Sequence, residues 1–165
     1  WNDNGYDSLV LDPHAVYRTD FFPGLGWMMD RPMWGEVRDH WAVAFWDEFM
    51  RRPDVRRGRH CLRPDISRSY TFGSEGTSAG QFFKQHLSKI KLNDKAVDWS
   101  DEDTAYLSSS ASFDEWLTAK LRGADRTSLE SIDSAVTDAG ARERGIRIEY
   151  EPQRYTTAAK KFGLM

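Results

Sequence analysis

The chain has 165 residues, 30% of them charged and 13% aromatic, with a formal net charge of −3. That length fits one domain, or part of a larger one, and is long enough to bury a core, while the acidic balance gives no global drive toward nucleic acid or an anionic membrane surface. No apolar run reaches the roughly 18 residues that would span a bilayer, and the single cysteine, Cys61, excludes an intrachain disulfide.

Residues 1–20 read as a turn and a short extended piece. Asn4-Gly5 is a strong turn dipeptide, Leu9-Val10-Leu11 a brief strand candidate and Asp12-Pro13 a second break. Phe21-Phe22-Pro23-Gly24-Leu25-Gly26-Trp27 is irregular: its glycines let backbone approach something closely, and the loop either plugs the core or lines a ligand. Asp30 is placed to cap a helix that begins Arg31-Pro32, with Met33, Trp34, Val37 and Trp41 on its buried face. A second helix follows, in which Phe45, Trp46, Phe49 and Met50 form a stripe with helical spacing. Asp47 and Glu48 flank that stripe, either as solvated acids or as carboxylates held by the core beside a cleft. Pro53 stops the helix, because it lacks an N–H and disfavours helical geometry at its predecessor. Arg51, Arg52, Arg56, Arg57, Arg59 and Arg63 make a basic run that Asp54 interrupts. Without interleaved aromatics it reads as a solvated face with arginines anchoring carboxylates, not as a nucleic-acid patch. Cys61 is a packed apolar residue or a thiol beside His60, with nothing to complete a Cys-His site.

Ile66 to Phe72 alternates as a strand. It leads into Gly73–Gln81 and a helix from Ser78, where Ser78 and Gln81 have capping-box spacing. Phe82, Phe83, His86, Leu87 and Ile90 share its apolar face, with His86 read as a packed core histidine. A glycine-containing loop entering a helix N-terminus offers free N–H groups to a phosphate. Asp101 and Asp103 resemble a metal-binding acid pair, but Ser100 and Asp103 read better as a cap for a turn at 104–107. Ser112 with Glu115 starts a helix that Gly123 ends. Residues 128–139 are a weak helix candidate, Ile146–Tyr150 a strand and Tyr155–Phe162 a terminal helix. No repeat, Cys-x-x-Cys or His-Glu-x-x-His motif is present. The fold class expected is α/β, with short strands and packed helices. Trp1 at one end and Lys160–Met165 at the other read as the ends of a piece of a longer chain.

Seven strings resemble one family in order: W-N-D-N-G at 1–5, Y-R-T-D-F-F-P-G-L-G-W at 17–27, F-W-D-E-F-M-R-R-P at 45–53, R-P-D-I-S-R at 63–68, T-F-G at 71–73, G-Q-F-F-K-Q-H-L at 80–87 and K-I-K-L-N at 89–93. The chain resembles the N-acetylglucosaminyltransferase I family, and the relatives that extend protein O-mannose, most densely over residues 1–93. The resemblance implies the acceptor-side half of a GT-A fold, in which residues 1–165 are part of a catalytic domain. It implies an inverting enzyme that moves N-acetylglucosamine from uridine diphosphate N-acetylglucosamine (UDP-GlcNAc) to the 2-hydroxyl of a mannose, with manganese. The manganese-binding Glu-Asp-Asp motif would lie upstream of Trp1, and the parent chain would be anchored upstream in the Golgi membrane with its catalytic domain in the lumen.

Residue by residue, Asp47 matches the catalytic base. Gly76, Thr77 and Ser78 match the loop that closes over the donor, and Leu25 an apolar donor contact. Trp46 either borders the acceptor sugar or is a core tryptophan, and Glu48 is an acceptor-side candidate. Cys61 matches a cysteine whose disulfide partner lies upstream. Glu48 stands where the family pattern has aspartate, and Thr77 where it has valine. The competing expectation is a non-catalytic carbohydrate-binding or scaffolding module of the same fold.

Overall fold

A short antiparallel ribbon, β1 (Val16–Thr19) against β2 (Cys61–Pro64), joins two distant parts of the chain. Tyr17 pairs with Arg63 and Thr19 with Cys61, and the Arg63 guanidinium lies 5.3 Å over the Tyr17 ring. The computed structural model describes residues 1–75, 79–132, 140 and 144–161. Two compact units divide the chain, Trp1–Glu102 and Asp103–Met165.

In the first unit, α1 (Arg31–Val37) starts as expected. Asp30 Oδ1 accepts the Met33 N–H at 2.8 Å, and Pro32 occupies the first turn, where no intrahelical donor is lost. Its apolar face is narrower than the spacing predicts: Val37 is buried, but Trp34 stays largely exposed. After a single 3₁₀ turn at Arg38–His40 come α2 (Trp46–Arg51) and α3 (Pro53–Arg56). Arg52, before the proline, leaves helical geometry with ψ 137°, so Pro53 ends one helix and opens the next. Met50 is buried, and Trp46 and Phe49 are half-buried. Phe45 corrects the expected stripe. It precedes α2 in left-handed geometry, φ 53° and ψ 47°, with its ring in water.

Three other expectations change here. Leu9-Val10-Leu11 is not a strand, because the Leu9 and Val10 N–H groups turn back to the Tyr6 carbonyl. The Leu11 and Asp12 N–H groups instead bond the Asp65 carboxylate at 2.9 and 3.0 Å. Ile66–Phe72 is irregular apart from a bridge of Ser67 to Leu92. Ser67 is fully buried, next to the buried Ile66, and its hydroxyl accepts the Asn2 N–H at 2.9 Å. That bond, with Asn2 Nδ2 on the Asp65 carbonyl, pins the turn at 1–5. The helix expected from Ser78 is not regular where it is described. Ala79 and Gly80 have φ of 50° and 66°, and the chain turns irregularly to a 3₁₀ turn at Leu87–Lys89. Ser78 itself lies outside the described residues. His86 is the packed histidine expected, with Nδ1 2.6 Å from the Tyr6 hydroxyl.

The second unit begins with a 3₁₀ turn, Ala105–Leu107. The Asp103 carboxylate accepts the Ala105 N–H at 3.0 Å, whereas Ser100 bonds Asp98 and caps nothing. Helix α4 (Ser110–Gly123) is capped by Ser109, whose hydroxyl accepts the Ser112 N–H at 3.0 Å. The helix therefore starts earlier than the Ser112–Glu115 pair predicts, and it ends at Gly123 as expected. Tyr106 stacks on Trp116 with ring centroids 4.5 Å apart. Strand β3 (Asp125–Thr127), not anticipated, pairs in parallel with β4 (Ile146–Ile148). Of the expected helix at 128–139, residues 133–139 lie outside the described residues; Leu129 and Ile132 are buried. Helix α5 (Tyr155–Lys161) buries Ala158 and Ala159. The architecture is mixed helix and strand, and among the described residues no helix is long and apolar enough to cross a membrane.

Candidate active site

The loop at 21–27 is fastened to α2 by aromatic rings. Phe22 is buried and meets Trp27 edge-on at 5.3 Å and Trp46 at 6.0 Å. Trp27 lies 5.4 Å from Trp46 and 6.3 Å from Trp41, and Trp41 packs on Phe49. Edge-to-face and offset contacts of this kind add to area burial. Trp46 is a member of this cluster.

Asp47 stands in the first turn of α2 with its side chain about one-third exposed, 36%. Its Oδ2 lies 3.2 Å from Arg51 Nη1, and the same nitrogen lies 2.6 Å from Glu48 Oε1. Arg51 Nε donates to the Phe22 carbonyl at 3.1 Å, and its guanidinium covers the Phe21 ring at 4.7 Å. Glu48 is the more exposed acid, at 65%. Opposite Asp47 is Gly24, at φ 75°, where a side-chain carbon would lie 3.5 Å from Asp47 Cβ and 3.9 Å from Trp46.

One residue along the same loop, Leu25 borders a cavity of about 310 Å³. Gly26, Trp1 and residues 69–73 complete its lining, with Tyr70 and Phe72 presenting exposed rings. Gly26 has φ 47°, and a Cβ there would overlap the Ser69 hydroxyl. The loop thus packs into an aromatic cluster on one side and borders a cavity on the other. A mainly apolar concavity of this size, with a few polar groups on its wall, suits a small ligand.

Asp47, Glu48, Trp46 and Leu25 therefore meet around one loop. Gly76, Thr77 and Ser78 lie outside the described residues; the described chain runs to Glu75, just past the cavity wall at Gly73. Cys61 sits on β2 as a free thiol, and burial pushes its ionisation up, partly offset by Arg56. Near Trp1, desolvation pushes the Asp3 carboxyl up, opposed by the Trp1 indole N–H and by Arg51 and Arg63. Asp3 keeps water-exposed surface, so that desolvation is partial. Four other arginines of the basic run bond acids or carbonyls: Arg52 bonds Asp54, Arg56 the Asp20 carbonyl, and Arg57 and Arg59 bond Glu36. Among the described residues no group of three or more His, Cys, Asp or Glu side chains could hold a metal ion. Sequence reasoning missed Arg51 and Gly24 as site residues. Arg51 was detectable from its i,i+4 spacing to Asp47; the tyrosine and phenylalanine of the cavity wall were hidden behind an expected strand.

The GNT-I family model matches residues 1–165. The chain is also 39% identical over 165 residues to an Arabidopsis thaliana protein named alpha-1,3-mannosyl-glycoprotein 2-beta-N-acetylglucosaminyltransferase, covering 99% of this chain and 36% of that relative. It thus spans little more than a third of the relative's length. With its whole length matched by the family model and by this relative, the chain belongs to the GNT-I family.

Proposed function

We propose that these residues form the acceptor-side, base-carrying half of an inverting β-1,2-N-acetylglucosaminyltransferase of GT-A fold. Its donor is UDP-GlcNAc and its acceptor a mannose-terminated glycoprotein glycan. The observation that carries the reading is the juxtaposition made by one loop: Gly24 packs on Asp47, and Leu25 borders the cavity. Family membership and the name of the Arabidopsis relative support the chemistry.

In this mechanism the mannose 2-hydroxyl attacks the donor's anomeric carbon from the face opposite the leaving group. The new C1–O bond forms as the C1–O bond to the diphosphate breaks, the electron pair leaves with uridine diphosphate, and Asp47 takes the hydroxyl proton. Inversion in one displacement needs no covalent intermediate. Leu25 and the segment 76–78 contact the donor, while Trp46 and Glu48 border the acceptor. The manganese implied by the family would neutralise the diphosphate. The described residues do not fit it; on the family resemblance its ligands are proposed to lie upstream of Trp1, and the chain alone is expected to be inactive.

The test is transfer from UDP-GlcNAc to a mannose-terminated acceptor by the full-length parent chain with manganese, with wild type beside Asp47→Asn. Loss of a general base costs about 10²–10⁴-fold in rate, and donor binding should persist. A wild type that transfers to neither N-glycan nor O-mannose acceptors refutes the enzyme. The reading also predicts a Golgi-lumenal parent protein; a tagged parent spread through the cytosol would count against it.

A further inference from the structure

We infer that Arg51 is the positioning residue of the proposed base and that Glu48 is its standing counter-charge. This rests on the reading of Asp47 as the base. A base must hold one carboxylate oxygen toward the acceptor hydroxyl, within about 2.6–3.2 Å, and an aspartate on an open helix turn rotates freely unless its other oxygen is fixed. Here Oδ2 is bonded by Arg51 Nη1 at 3.2 Å, and no described residue donates to Oδ1. That leaves Oδ1 for the substrate.

Arg51 is itself fixed from two elements. Its Nε is tied to the Phe22 carbonyl and its face to the Phe21 ring, both on the loop, while Nη1 meets Glu48 at 2.6 Å on α2. Its Nη2 lies 3.9 Å from where a side-chain carbon on Gly24 would sit, so the loop passes within van der Waals reach of the guanidinium. The planar guanidinium presents several donors in a rigid fork, which a lysine ammonium does not reproduce. Asp3 lies within the electrostatic field of Arg51, of the Trp1 amino group and of Arg63.

Glu48 acquires a purpose from the charge balance. Before the reaction two carboxylates share one guanidinium. When Asp47 accepts the acceptor's proton it becomes neutral and no longer balances Arg51, whereas Glu48, bonded to the same Nη1 at 2.6 Å, keeps the guanidinium paired. The shorter contact to Glu48 than to Asp47 fits this division of labour.

The experiment compares Arg51→Gln, Arg51→Lys and Asp47→Asn with wild type in the full-length parent chain, reading kcat, donor KM, thermal midpoint and rescue by added guanidinium at low concentration. Misplacement of a reacting group by an ångström costs about 100-fold. Arg51→Gln should therefore lose about 10- to 100-fold in kcat with donor KM unchanged, and regain part of it with guanidinium. Arg51→Lys should fall between it and wild type, while Asp47→Asn should gain nothing from guanidinium. Arg51→Gln with wild-type kcat, beside a collapsed Asp47→Asn, overturns the positioning role alone. So does a loss that follows the thermal midpoint and that neither guanidinium nor lysine relieves. An Asp47→Asn enzyme as active as wild type removes the base and this inference together, and an inactive wild type removes the function as well.

Discussion

At the scale of single residues, Gly26 sets the tightest constraint on the cavity wall. Its φ of 47° is costly for any residue with a Cβ, and the Ser69 hydroxyl occupies the space that Cβ would need. Gly26→Ala combines left-handed strain with overpacking, and should destabilise the chain by about 2–4 kcal/mol; urea denaturation measures it, and a change within about 0.5 kcal/mol, as at an ordinary surface position, would contradict the geometry. Cys61 offers a chemical check. Because burial raises its thiol above the ordinary value, less thiolate is present near neutral pH, and iodoacetamide should alkylate it more slowly than in the urea-unfolded chain. Equal rates would mean that the thiol is not desolvated. The residues of the proposed site were legible mainly as a family pattern. Asp47 and Leu25 could be named from strings of the sequence, and Arg51 had helical spacing to Asp47, but Gly24 and the Phe22 carbonyl that holds Arg51 acquire meaning only when the loop is folded onto α2.

Elements were legible where the signal is local. The Asp30 cap, the proline at 53, the end of α4 at Gly123 and the strand at 146–148 all depend on neighbours within a few residues. Replacing Asp30 or Ser109 by alanine strands one helix N–H, and each change should cost about 1 kcal/mol, read as a lower urea midpoint with an unchanged slope. An unshifted midpoint in either case would show that water serves the N–H equally well. Elements failed where distant groups decide. The alternation from Ile66 to Phe72 is real in sequence, yet Ile66 and Ser67 are both buried, Ser67 bonds the Asn2 backbone, and the ribbon forms at Cys61–Pro64 instead. Such tertiary override is the ordinary limit of reading strands from side-chain period.

For the whole molecule, surface chemistry is the informative level. Met28, Val43, Phe45 and Phe72 are each at least 79% exposed, and the reading of the chain as part of a larger catalytic domain predicts that the parent covers some of them. The 165 residues expressed alone should therefore bind the dye ANS, and the full-length parent should bind less per chain; equal binding would mean that nothing in the parent covers those side chains. Acid titration probes the second unit. Arg154 bonds Glu130 at 2.9 Å and holds its carboxyl down to about 2 from an ordinary 4.5. Its contribution is complete above the ordinary value and lost as pH falls through about 2. The pair is a surface one, so the effect is small. Glu130→Gln should have a slightly lower thermal midpoint than wild type at neutral pH, and the gap should close toward the acid end. A gap that stays constant would assign the difference to packing.

The left-handed corner at Phe45 has a bearing on how this enzyme family can be made more robust. A bulky residue in that conformation costs about 1–2 kcal/mol, and its ring, being in water, recovers little of it. Phe45→Gly would release that strain, and although the freer unfolded chain takes back about 0.4–1 kcal/mol, stability selection alone has a small net gain available at the residue two before the proposed base. The same change would let the entry to α2 pivot, and with it the direction of the Asp47 carboxylate. Thermostabilising screens that ignore turnover should find glycine at 45, and screens for transfer should reject it.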